Sequence, residues 1–225
     1  MRLHVQRSGS GSPALVLVHG MGANSTTWDG VVAALSPTYT TIAIDLLGHG
    51  QSPAPEDESL YSRDGALADI DDVLATVDGP AVIVGHSLGG YLALAHAATR
   101  PGKAAAIVVL NTGPGFRDAE KREGWNAMSR RNAHRFGVPE RAANLNLQHD
   151  SVVMDRLAEM DTPTLFLAGT LDRPDYTNSG QYLAKKMPNC RFEPLEGGEH
   201  NMQETHAAEV AAAIDAFVRS VVTPT

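Results

Sequence analysis

Continuous apolar runs set the framework of this chain. Ala14–Val18, Thr41–Ile44, Ala81–Val84, Ala104–Leu110 and Thr164–Ala168 lack the in-out alternation of a half-buried strand. Short runs of this kind, rich in Val, Ile and Leu, read as strands buried on both faces. Leu3–Arg7, as an edge strand, and Arg191–Leu195 complete the set. Helical patterns lie between them. One ends near Leu35 and is capped by a residue among Asn24, Ser25, Thr26 and Thr27. A second runs from Ser62 to Val77, with Ala66, Ile70, Val73, Leu74 and Val77 at helical spacing. Others are expected at Tyr91–Ala98, Gly180–Lys186 and Ala207–Val222. Strands alternating with helices predict an α/β protein with a mostly parallel, doubly wound sheet covered on both faces. Residues 1–225 are expected to form one such domain.

The alternation breaks once. Residues 111–160 are polar, rich in Arg and Asn, and contain no strong strand. Arg117–Arg135 and Pro139–Leu147 read as short helices, so 111–160 is expected to be a small helical cap inserted within the domain.

In open α/β sheets, chemistry gathers at the carboxyl ends of the strands. His19, Ser87, Asp172 and His200 each fall just after a predicted strand. Around Ser87 the sequence Gly85-His86-Ser87-Leu88-Gly89 joins a strand to a helix, the context of a nucleophile elbow. The turn must be tight, and glycines on both sides remove Cβ atoms that would clash. The serine hydroxyl then projects above the sheet at a helix N-terminus, whose dipole favours developing negative charge.

A serine hydroxyl needs a base to remove its proton, and the base needs a carboxylate to orient it. Nine histidines compete for the first role. His200, in a Gly-rich loop after a short strand, is the leading candidate. His206 reads as a helix-end residue, His86 as packing beside the nucleophile, and His19 and His49 as braces of their loops. For the carboxylate Asp172 leads, with Asp175 the alternative; Asp161 precedes its strand and lies at the wrong end. A tetrahedral intermediate needs two aimed N–H donors. The amides of Leu88 and Met21 are the candidates. Gly20 and His86 beside the nucleophile, and Trp125 and His134 from the cap, are candidate substrate contacts.

Charge and composition narrow the partners. The formal net charge of −8 disfavours nucleic acid, which needs a basic surface. No run is long and apolar enough to span a membrane, and Met1–Arg7 lacks the apolar core of a signal peptide. The single cysteine, Cys190, excludes an intramolecular disulfide, suits a reducing cytosol and reads as structural. No Cys/His cluster has zinc spacing. The expectation is a cytoplasmic monomer or homodimer acting on a small molecule, with no nucleic-acid or membrane partner and no metal.

Five segments together resemble the α/β-hydrolase fold superfamily: His19-Gly20-Met21-Gly22, Asp45-Leu46-Leu47-Gly48-His49-Gly50-Gln51-Ser52, Gly85-His86-Ser87-Leu88-Gly89-Gly90, Gly169-Thr170-Leu171-Asp172 and the loop at His200. The resemblance covers nearly the whole chain. It implies a cofactor-free hydrolase with Ser87, Asp172 and His200 as its triad and Met21 and Leu88 as oxyanion amides. Serine at the elbow separates the chain from branches similar to haloalkane dehalogenases and epoxide hydrolases, which carry aspartate there. Three departures stand out. Glu199 replaces the Gly usual before the base, His206 stands where Pro is common, and the chain is short, which implies a reduced lid and an open pocket. The activity implied is cleavage of carboxylic esters of small or medium acyl groups through an acyl-enzyme. A thioesterase, a lactonase or a carbon–carbon bond hydrolase are alternatives. The last would draw on polar cap residues such as Arg117, Arg130, Arg131 and Asn132. A ligand receptor that retains the triad, or a degenerate hydrolase serving as a scaffold, stands outside the enzyme class.

Overall fold

The computed structural model describes residues 3–222. Met1 and Arg2, part of the stretch read above for a signal peptide, lie outside the described residues. Seven strands form one sheet: β1 (Val5–Ser8), β2 (Ala14–Val18), β3 (Thr40–Ile44), β4 (Ala81–His86), β5 (Ala106–Leu110), β6 (Thr164–Gly169) and β7 (Cys190–Leu195). Their order is β1-β3-β2-β4-β5-β6-β7. Among the described residues only β1 pairs antiparallel, against β3, and the other pairings are parallel.

Burial explains why the central strands read as unbroken apolar runs. Every residue of β2, β4, β5 and β6 is buried. Successive side chains enter different cores. Val16, Val18, Ile83, Ile107, Val109 and Phe166 pack on one face with Leu67 and Ile70 of α2 (Arg63–Leu74), Leu92 of α3 (Leu88–Thr99) and Leu183 of α6 (Pro174–Lys186). Leu15, Leu17, Val82, Val84, Val108 and Leu167 pack on the other with Val31 of α1 (Asp29–Leu35), Met202 of α7 (Met202–Thr205) and Val210, Ile214 and Phe217 of α8 (Ala207–Val221). Fully burying one such side chain is worth about 1.5–3 kcal/mol. The edge strands are only partly buried, β1 alternating between exposed and half-buried positions.

Local chemistry sets the helix starts. Asn24 accepts from the Thr26 amide ahead of α1, Ser62 accepts from the Gly65 amide at α2, and Asp118 accepts from the Lys121 amide at α4 (Ala119–Asn132). The structure departs from the sequence expectation at several helices. Helix α6 begins at Pro174 rather than near Gly180, because Pro174 occupies the first helical turn, where its missing N–H costs nothing. Residues 139–147 form a 3-10 helix at Glu140–Asn146. The short α5 (Val152–Arg156) was not anticipated, because five residues carry no periodicity.

The segment between β5 and β6 is helical and is tied down by cations. Arg63 of α2 holds Asp150 through two hydrogen bonds of 2.6 and 2.9 Å. Arg141 donates to the carbonyls of Pro55 and Ala54, and Arg156 to that of Ala98. No helix among the described residues is long and apolar enough to cross a membrane.

Candidate active site

Strand β4 ends at His86, and the chain turns at Ser87 with φ 52° and ψ −112°. Such a backbone costs about 1–3 kcal/mol outside glycine and persists only where surroundings enforce it. Here they do. The Ser87 amide donates to the Leu110 carbonyl, and the Ser87 carbonyl accepts from the Tyr91 amide. A Cβ on Gly85 would lie 2.1 Å from the Gly89 carbonyl oxygen, and one on Gly89 2.1 Å from that of Val18. Both glycines are therefore required by backbone contact. Leu88 opens α3, so its N–H has no acceptor within the helix.

Ser87, Leu88, Met21 and His200 share one cavity of about 880 Å³. Behind His200 lies Asp172. Its Oδ2 accepts from His200 Nδ1 at 2.7 Å, and its Oδ1 accepts from the Arg173 amide at 2.7 Å. The Asp172 side chain is only 6% exposed, against 42% for His200. The Asp172 carboxylate is thus shielded while the His200 imidazole reaches the cavity. Asp175, the alternative carboxylate, lines the same cavity but is largely exposed and pairs with Arg173 at 2.9 Å rather than with His200. Glu199 is exposed and makes no ion pair with His200 among the described residues. The thiol of Cys190 is pushed up to about 12 by burial, so it stays protonated and is no nucleophile.

Two rings flank the His200 imidazole: His86 at 4.9 Å and Tyr176 at 5.5 Å, the latter stacked. His86 Nε2 donates to the His200 carbonyl at 2.8 Å. Burial, with His200 nearby, pushes the pKa of His86 down to about 3. His86 is therefore neutral beside the His200 ring. His19 braces the Met21 loop. Its Nδ1 donates to the Gly20 carbonyl at 2.7 Å and its Nε2 accepts from the Leu46 amide at 3.0 Å. Burial, with His49 close by, pulls its pKa to about 4. Asp45 locks the adjoining loop. Burial alone would raise its pKa, but amide hydrogen bonds from Gln51 and Ser25 hold it below the ordinary carboxylate value.

The structure sorts the expected substrate contacts. Trp125 lines the cavity, and its Nε1 donates to the Asn146 carbonyl. His86 also contributes to the wall, although its Nε2 is engaged by His200. His134 does not reach the cavity: it is exposed on the 3-10 turn Ala133–Phe136 that follows α4. Gly20 lies behind the wall, where a Cβ would come within 3.2 Å of the Ser87 Cβ. Sequence reasoning missed Tyr176, Gln148 and Asn111. Gln148 lines the cavity and accepts from the Phe116 amide. Its backbone is clamped by Asn126. Only Asn111 carried a local signal, a polar residue directly after an apolar strand. No group of three or more His, Cys, Asp or Glu among the described residues could hold a metal ion.

Comparison with known proteins agrees with this architecture. Lipase LipV of Mycobacterium tuberculosis is 40% identical over 127 residues, 56% of this chain and 48% of that protein. The pimeloyl-[acyl-carrier protein] methyl ester esterase of Methylococcus capsulatus is 38% identical over 136 residues, 60% of this chain and 50% of that protein. An uncharacterized M. tuberculosis protein is 45% identical over 107 residues but is covered only to 30%. The chain thus spans half or less of the length of these relatives. Among solved structures, MenH from S. aureus superposes with a TM-score of 0.86 at 19% identity, covering 98% of this chain and 99% of that one, a likeness of fold alone. The family model for the alpha/beta hydrolase family matches residues 15–213, from β2 into α8. The chain belongs to the alpha/beta hydrolase family.

Proposed function

We propose that this hydrolase cleaves carboxylic esters of small or medium acyl groups through an acyl-enzyme on Ser87. The observation that carries the reading is the 2.7 Å hydrogen bond between His200 Nδ1 and the shielded Asp172, made at the wall of the cavity that also holds Ser87 on its strained elbow. In this reading His200 takes the Ser87 proton through Nε2 as Oγ attacks the ester carbonyl. Asp172 fixes the tautomer and stabilises the imidazolium. The developing oxyanion is held by the amides of Met21 and Leu88. Protonated His200 then gives its proton to the leaving alcohol. In the second half-reaction the same imidazole activates water, which releases the acid and frees Ser87.

Supporting evidence comes from the cavity and the relatives. Met21, Tyr91, Phe116, Trp125 and Met128 line it with apolar surface suited to an acyl chain. The relatives named lipase and methyl ester esterase act on esters by name. Residues 111–160 act as the cap, since Phe116, Trp125, Met128 and Gln148 all belong to them.

The test is turnover of p-nitrophenyl acetate and butyrate with a fluorophosphonate label mapped by mass spectrometry. Sustained turnover lost in Ser87→Ala, with the label on Ser87, supports the reading. A label on any other residue, or a Ser87→Ala variant that retains turnover, overturns it. Slow labelling without sustained turnover assigns the chain to ligand reception instead.

A further inference from the structure

Asn111 is the first residue after β5. It is fully buried and holds φ at +44°, a left-handed conformation that asparagine tolerates better than most residues. Both ends of its carboxamide are engaged. Oδ1 accepts from the Gly169 amide at 2.9 Å. Because that amide can only donate, the oxygen end of the carboxamide is identified. Nδ2 donates to the carbonyls of Glu199 and His200, both at 2.9 Å. The backbone joins in: the Asn111 amide donates to the Leu167 carbonyl, while the preceding carbonyl, that of Leu110, accepts from Ser87.

One side chain therefore touches the end of β6, which leads to Asp172, and the loop that carries His200. It also sits one residue from the carbonyl that holds the Ser87 elbow. The His200 carbonyl accepts twice, from Asn111 Nδ2 and from His86 Nε2, and this fixes its peptide plane. With the Glu199 carbonyl held as well, both peptide planes flanking the His200 Cα are fixed, and together they set the direction in which the side chain leaves the backbone. We propose that Asn111 is a positioning residue for His200, binding the base loop and the acid loop into one register with Ser87. It is neutral, so it orients the imidazole without adding charge beside it. The proposal rests on the serine-hydrolase reading above.

Asn111→Gly separates the carboxamide from the backbone, since glycine adopts positive φ without strain. Asn111→Asp keeps the shape but replaces the double donor with an acceptor facing two carbonyl oxygens. Both are assayed on p-nitrophenyl butyrate and by the rate of fluorophosphonate labelling, well below their melting temperatures, beside Ser87→Ala. An imidazole displaced by about 1 Å is expected to lower kcat on the order of 100-fold in Asn111→Gly, with KM within about twofold and labelling slowed in parallel. Asn111→Asp is expected to be no faster than Asn111→Gly. A structural role alone would lower the melting temperature and leave kcat intact. If Ser87→Ala is inactive while Asn111→Gly keeps kcat within about threefold of the parent, the positioning role is wrong. It is equally wrong if neither variant folds, or if Asn111→Asp outpaces Asn111→Gly. An active Ser87→Ala variant would instead remove the hydrolase reading on which the proposal stands.

Discussion

Replacing Asp172 with asparagine tests the acid assignment most sharply, because the surroundings dictate how the new amide must sit. The Arg173 amide donates to Oδ1 at 2.7 Å. In Asp172→Asn that site must keep the oxygen, so the NH2 group takes the place of Oδ2, facing His200 Nδ1 at 2.7 Å. An NH2 group only donates. Nδ1 must then give up its hydrogen and accept, which moves the ring proton to Nε2. That tautomer cannot take a proton from Ser87. With the side chain only 6% exposed, water cannot readily substitute for the lost carboxylate. The expected loss in kcat is on the order of 10⁴-fold, about 5.5 kcal/mol of transition-state stabilisation. Asp175→Asn provides the contrast. That carboxylate is 71% exposed and its pair with Arg173 is a surface one, so turnover should stay within about twofold. Initial rates on p-nitrophenyl butyrate measure both. Comparable losses in the two variants, or an Asp172→Asn enzyme within about tenfold of the parent, would refute the assignment.

Two further outcomes follow from burial. His19 and His86 are held at about 4 and about 3, below the unfolded value of about 6.5. The unfolded chain therefore takes up protons first as pH falls, and stability present above about 6.5 is lost on acidification, by about 1.4 kcal/mol per group per pH unit until the folded values are reached. Burial also lowers the pKa of His49 and His96, which adds in the same direction. Urea midpoints followed by tryptophan fluorescence should fall steeply from pH 7 to 5, and a flat profile contradicts the argument. Asn126→Ala removes the 2.9 and 2.8 Å bonds to the Gln148 backbone and leaves a buried amide and carbonyl unpaired. A loss of about 2–4 kcal/mol is expected, with a raised KM because Gln148 lines the cavity. Unchanged melting temperature and KM would show that this clamp is dispensable.

The central strands were legible because both sheet faces are covered, so each strand is apolar at every position. The elbow was legible for a local reason: the turn needs glycine at 85 and 89 to avoid backbone contacts near 2.1 Å. His19 was expected to brace its loop, and it does so through both ring nitrogens. The start of α6 was not legible, since proline serves equally in a turn and in a first helical turn. His134 looked like a substrate contact but faces outward, because the rotation of a short polar helix leaves no apolar stripe to orient it.

What the sequence determined alone is whatever depends on neighbours along the chain: the strand runs, the longer helices and the elbow. Tertiary structure decided which side chains meet across distance. Asp172 and Asp175 differ by one turn of chain, yet only one lies behind His200. Asn111 acquires its contacts 58, 88 and 89 residues away. Such contacts exist only once β5, β6 and β7 lie side by side and bring their following loops together. No local pattern of propensity or periodicity encodes that meeting, because it arises from the packing of the whole sheet.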